Sequence, residues 1–235
     1  MSGVAMDIFS GWGPTIARGT WMTVEVALIS AVIGSVVGIL GASACLSRFG
    51  PVRAVANGFV TAIRGLPQLL LILLVYFGST IALTRLLSIF SSTIGTVEVP
   101  PYPAGVFALS LIFGGYAAEV FRGAFLAISP GQIEAGKAVG MSSRQIFTVI
   151  KLPQMLKFAL PGLGNIWIST LKDTSLISVV GLSELMKASE LATSDTRRAL
   201  FFYLTAGAIY LALTLVSSVI LHRLEKRAAR GERTA

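Results

Sequence analysis

Four charged residues stand inside stretches that are otherwise apolar, and they are the first candidates for chemistry. Glu119 and Arg122 lie i, i+3 apart in the run 104–127, close enough on one helix face to form an ion pair. Lys172 and Asp173 are adjacent in the run 158–182; on a helix they point about 100° apart, so each needs its own partner, water or ligand. A Lys, Arg or Asp at the centre of a membrane helix costs about 2.5 to 3.5 kcal/mol, so each needs a reason to be there. Two readings stay open for each pair. Glu119 and Arg122 either lock their helix to its neighbours or present a carboxylate to a cationic solute. Asp173 either looks into a path while Lys172 ties to a neighbouring helix, or both are structural. Asn165, shortly after Pro161, can offer its amide to a solute or to another helix.

Other chemistries find no material. His222 is the only histidine and Cys45 the only cysteine, so a disulfide framework, a cysteine-based metal site and most hydrolase chemistry have no residues to use. No Gly-x-x-x-x-Gly-Lys-Ser/Thr phosphate loop is present, so ATP is not expected to bind this chain. The expectation is no catalytic residue, no metal and no cofactor of its own.

The elements that must carry these residues follow from composition. Of 235 residues 54% are hydrophobic and only 13% charged, too few charges to coat a soluble globule. The formal charge of +8 would suggest nucleic acid in a soluble protein, but here Lys and Arg sit between apolar runs, where they flank a membrane; no nucleic acid is expected. A spanning helix needs about 20 apolar residues. Runs of that kind cover 20–46, 64–83, 104–127, 158–182 and 200–221, predicting an all-α integral membrane protein with five transmembrane helices. Pro67 suits the first turn of the second run, and 88–103, with three prolines, reads as a loop. Ser30, Gly34 and Gly38 share one face of the first run and would let another helix approach closely.

Charge sets the orientation. Arg48, Arg53 and Arg64, then Lys137, Arg144, Lys151 and Lys157, then Arg223, Lys226, Arg227, Arg230 and Arg233 fall on one side; the opposite side carries fewer cations, offset by Glu184, Glu190 and Asp195. The positive-inside rule then puts the N-terminus outside and the C-terminus in the cytoplasm. This divides the chain into an external segment 1–19, a transmembrane domain 20–222 with a cytoplasmic loop 129–157, and a basic cytoplasmic tail 223–235. The first basic residue is Arg18, so the start lacks a secretory n-region and no cleavage is expected.

Within the loop, 131–139 can form a short helix stopped by Gly140 in a left-handed conformation. Ser142 or Ser143 can cap a second helix carrying Ile146, Val149 and Ile150 on one side and ending before Pro153. Such a knob can fill a groove in another protein and transmit a push. The pattern Glu134-Ala135, Gly140, then Ile150-Lys151-Leu152-Pro153 resembles the EAA loop of bacterial ABC importer permeases. The resemblance implies that Glu134, Ala135, Gly140, Ile150, Leu152 and Pro153 belong to a coupling helix docked in a cleft of a cytoplasmic ATPase. Gly136 departs from the second alanine of that motif, which should weaken the helix by about 1 kcal/mol. Arg64-Gly65-Leu66-Pro67, 118–123, 160–165 and Leu171-Lys172-Asp173-Thr174-Ser175-Leu176 narrow the resemblance to the polar amino acid branch, among the histidine/lysine/arginine/ornithine and opine permeases.

For such a permease the resemblance implies the type I ABC importer fold, an ATPase dimer carrying ATP and Mg, a second permease subunit (homologous or identical), an external substrate-binding protein, and the bacterial inner membrane. The expected function is import of polar, basic amino acids or opines. The alternative is a self-sufficient secondary transporter or channel, which would need interrupted helices in both halves; only Pro161 offers such a break. An intramembrane enzyme would need a nucleophile with a base, or metal ligands, and finds neither.

Overall fold

The computed structural model describes residues 2–89 and 97–228, with side chains from residue 11 onward. Ser91, Ser92, Thr93 and Gly95 of the expected loop, and Arg230 and Arg233 of the tail, lie outside the described residues. In chain order the elements are α1 (Ser2–Cys45), α2 (Gly50–Gly65), α3 (Gln68–Ser88), α4 (Pro101–Leu126), α5 (Pro130–Ala138) and α6 (Ser143–Gln145). A π-helical stretch (Ile146–Lys151), α7 (Leu152–Asp173), a 3₁₀ stretch (Thr174–Val180), α8 (Leu185–Thr196) and α9 (Ala199–Ala228) complete it. Among the described residues there is no strand, and five helical stretches are long and apolar enough to cross a membrane.

The spans match the expected five, with different bounds. α1 starts well before residue 20 and carries Pro14 within it. The second run divides: Leu66 is extended (φ −104°, ψ 147°) because the proline after it disfavours the helical region, so α2 stops and Pro67 caps α3 instead of lying in its first turn. α2 itself was not foreseen. Its two arginines break any long apolar run, yet Ala56, Val60 and Ile63 recur at helical spacing and are buried. Between α4 and α7 the expected short helix 131–139 and the left-handed Gly140 (φ +79°) are both present.

α4 is the centre of the packing, with Leu109, Phe113, Ala117 and Phe121 all buried. α1 runs beside it in the same direction and very close. A Cβ on Gly34 would lie 2.7 Å from that of Phe113, one on Gly38 2.6 Å from that of Ala117, and one on Gly114 2.5 Å from Val37 Cγ1. Ser30 Oγ donates to the Val106 carbonyl at 3.3 Å. The small-residue face of Ser30, Gly34 and Gly38 is therefore the α1–α4 contact, held by dispersion, by this bond and by the Tyr102 hydroxyl donating to Glu25 Oε1 at 2.7 Å, where lipid gives no hydrophobic drive.

The other unforeseen element is α8, tied down by Glu184. This side chain is fully buried and caps α8, accepting from the backbone N–H of Met186 and of Lys187 at 2.9 Å each. It also accepts from Tyr210 Oη of α9 at 2.9 Å and from Thr23 Oγ1 of α1 at 3.3 Å. Burial pushes the Glu184 carboxyl above its ordinary range, against the opposing pull of these donors.

Candidate functional site

Two places collect the residues that the sequence singles out. The first is the segment between α4 and α7. Ser142 opens α6 with a reciprocal capping box: its hydroxyl accepts from the Gln145 N–H at 3.3 Å, and its own N–H donates to Gln145 Oε1 at 2.8 Å. Of the two serines, Ser142 is the cap. The second helix does not end before Pro153. It continues through the π stretch into α7, so the knob is one short helix packed on the root of a spanning helix. Proline has no N–H to give the Val149 carbonyl, and in an α-helix its ring would collide with it. The wider turn over Ile146–Lys151, immediately before α7 and Pro153, relieves that conflict.

The wider turn also re-aims side chains. A step of three residues falls short of a full π turn, so Val149 leaves the face of Ile146 and Ile150 and is 62% exposed, while Ile146 is buried. Expecting all three on one side assumed an α-helical period. Gly136 now has a physical account. A Cβ there would meet Ile150 Cδ1 at 2.9 Å and Ile146 Cγ1 at 3.4 Å, so the glycine lets α5 lie against the π stretch. Glu134 and Ala135 stay exposed on the outer side of α5, beside exposed Val139 and near Phe147 in sequence, while Leu152 packs inward around buried Met155.

The second place lies between α3, α4 and α7. A cavity of about 180 Å³ is lined by Gln68, Phe113, Tyr116, Asn165, Ser169 and Asp173 among others. The structure thus brings Asn165 and Asp173 together. Gln68, freed to begin α3 by the break at Pro67, brings its side-chain amide to the cavity wall beside the Asp173 carboxylate. Ser169 sits midway between Asn165 and Asp173 at four-residue steps, a stripe that was legible in the sequence. Gln68 and Tyr116 come from other helices and carried no local signal.

Glu119 and Lys172 do not line this cavity. Arg122 holds Glu119 as the i, i+3 spacing foretold, with Nε donating to Oε2 at 3.2 Å, and Arg64 of α2 stands 3.9 Å away. One carboxylate between two guanidiniums leaves that cluster with an excess positive charge, so it ties α2 to α4 and is poorly suited to a cation. Lys172 is exposed and stands outside the cavity lining.

Comparison with known proteins identifies the family. Residues 34–230 match the family described as binding-protein-dependent transport system inner membrane component. The octopine transport system permease protein OccQ of Rhizobium radiobacter is 45% identical over 94% of this chain and 93% of its own length. The histidine/lysine/arginine/ornithine transport system permease protein HisQ of Escherichia coli is 38% identical over 96% of this chain and 98% of its own. Among solved structures, an amino acid ABC transporter crystallised with histidines superposes with a TM-score of 0.80 at 31% identity, covering 93% of this chain and 96% of that one. A methionine ABC transporter shares the fold, with a TM-score of 0.71 at 19% identity. With matches of this extent, the chain belongs to the family of binding-protein-dependent transport system inner membrane components, the permease subunits of ABC importers.

Proposed function

We propose that this permease subunit carries amino acids with a cationic side chain, or opines derived from them, and that the cavity holding Asp173 and Asn165 is where the substrate rests. The observation that carries the reading is the Asp173 carboxylate, set in a small polar cavity among apolar helices with an amide from Gln68 on one side. A charged substrate group leaving water needs compensation there, and a carboxylate provides it. Names of relatives such as HisQ and OccQ point to the same substrate class.

Energy comes from outside the chain. ATP and Mg are bound by a cytoplasmic ATPase dimer, which receives Glu134, Ala135, Gly140 and the exposed surface around Val149. Ile150, Leu152 and Pro153 carry the displacement into α7. A second permease subunit, homologous or identical, completes the path, and an external binding protein delivers the substrate. The N-terminus lies outside and the C-terminus inside, supported by the excess of Lys and Arg near α5, α6 and the end of α9.

Equilibrium binding of labelled arginine to the purified, assembled complex tests the pocket. Asp173→Asn keeps the shape and removes the charge, and should weaken binding about tenfold or more, the equivalent of one charge-assisted contact. Wild-type affinity in that variant refutes the assignment of the pocket.

A further inference from the structure

The substrate pocket shares a wall with a second cavity. Between α7 and α9 lies a space of about 390 Å³, lined by Pro161, Asn165, Ser218, His222 and Glu225 among others. Asn165 therefore borders both cavities. On α7 the polar stripe Asp173, Ser169, Asn165 descends at four-residue steps, covering about 12 Å along the axis. On α9 a second stripe follows, with Ser218, His222 and Glu225 at steps of four and three, so that they share a face. Neither stripe suits hydrocarbon, where an unpaired polar group costs several kcal/mol, so the two facing stripes mark a route open to water.

At the far end stands an underused carboxylate. The Glu225 side chain is 36% exposed, and the His222 Nδ1 atom is 3.9 Å from Glu225 Oε2, beyond hydrogen-bond distance. We propose that the cavity between α7 and α9 is a release site for the cationic end of the substrate, with Glu225 as its carboxylate and Asn165 as the group passed on the way. This rests on reading the first cavity as the substrate pocket. A guanidinium or ammonium leaving Asp173 would otherwise exchange a carboxylate for nothing. The Asn165 amide oxygen accepts from it midway, and Glu225 receives it where the path meets the aqueous side. Two weak anionic stations in series permit both capture and departure, whereas one strong site would retain its load.

The test separates the two cavities by their readouts. In the assembled complex, Glu225→Gln should leave equilibrium binding of labelled arginine within about twofold of wild type, because the substrate pocket is untouched. In proteoliposomes with saturating loaded binding protein, the same variant should slow arginine uptake about tenfold, the change expected for one lost charge-assisted contact. Uptake of citrulline, the neutral isostere, should be unchanged, and Glu225→Asp should recover most of the arginine rate. Wild-type arginine uptake in Glu225→Gln overturns the release site, as does an equal loss for arginine and citrulline, which would mark a packing role. Unaltered arginine binding in Asp173→Asn would instead refute the substrate pocket and the route that starts there.

Discussion

Gly140 offers a clean way to test the coupling segment, because its backbone and its surroundings make separate demands. Its φ of +79° lies in the left-handed region, yet a Cβ built there meets nothing within 4 Å. A substitution therefore strains the chain without crowding a neighbour. For an ordinary L-residue the left-handed conformation costs about 1 to 2 kcal/mol, Asn tolerates it better, and a β-branched residue fares worst. If the turn that closes α5 must keep this shape to fit the ATPase, each 1.36 kcal/mol lowers the competent population about tenfold. Uptake and substrate-stimulated ATP hydrolysis should then fall in the order Gly140, Gly140→Asn, Gly140→Ala, Gly140→Val, with Ala about tenfold down and Val at background. Membrane insertion and yield should not change, since the position is exposed and outside the spanning helices. Reconstituted complex, assayed for both activities at equal protein, decides it. A valine variant as active as wild type, or an asparagine variant worse than alanine, would show that left-handed geometry at residue 140 is not what coupling requires.

Three further outcomes follow from the geometry. Gly136→Ala should keep coupling, since the helix gain of about 1 kcal/mol offsets a contact with the flexible tip of Ile150, while Gly136→Val should push α5 off the π stretch and lower uptake. Proteolysis of the segment in the reconstituted complex reads the difference, and equal protection of both variants would refute it. Because burial raises the Glu184 carboxyl above its ordinary value of 4.5, the folded state binds the proton more tightly than the unfolded chain. Its contribution is full below that value and is lost as pH rises through the raised one. The unfolding temperature of wild type should therefore climb, as pH falls towards 4.5, more than that of Glu184→Gln; parallel profiles would contradict this. Cysteines placed at Ser142 and Lys226 should be labelled from the cytoplasmic side and one at Glu190 of α8 from outside, and the reverse pattern in intact cells would overturn the orientation.

How far the sequence could be read depended on whether the deciding contact was local. The spans, the closing glycine at 140, a serine cap at 142 or 143 and the Glu119–Arg122 pair all follow from residues within one or two turns of each other. The misreadings share one cause. Pro153 reads as a helix terminator on local grounds, yet a spanning helix with tertiary support runs through it by widening one turn. α2 and α8 were hidden because neither is apolar enough to register as a span, although Ala56, Val60 and Ile63 kept the helical period and Glu184 stood at an N-cap. In the pocket, Asn165, Ser169 and Asp173 shared a readable stripe. Gln68 and Tyr116 complete it from helices whose packing no short pattern encodes, and the same packing took Glu119 to Arg64 instead of to the cavity.

The run of helix from Ser143 to Val180, 38 residues long, passes through Pro161 without the break that the sequence offers there, and it has a mechanical corollary. At about 1.5 Å per residue it is a strut more than 50 Å long. Its foot is gripped beside α5, and its upper part forms one wall of the cavity. A strut has no slack: tilting its foot swings the far end in the same instant and in the opposite sense about whatever point the neighbouring α4 holds fixed. If, as proposed above, an ATPase pushes on the foot, leverage converts that stroke to the opening or closing of the wall, its size set by where along α7 the pivot falls. On this account the timing of transport depends on a single rigid-body swing, and a break introduced midway along α7 would leave both ends intact while disconnecting cause from effect.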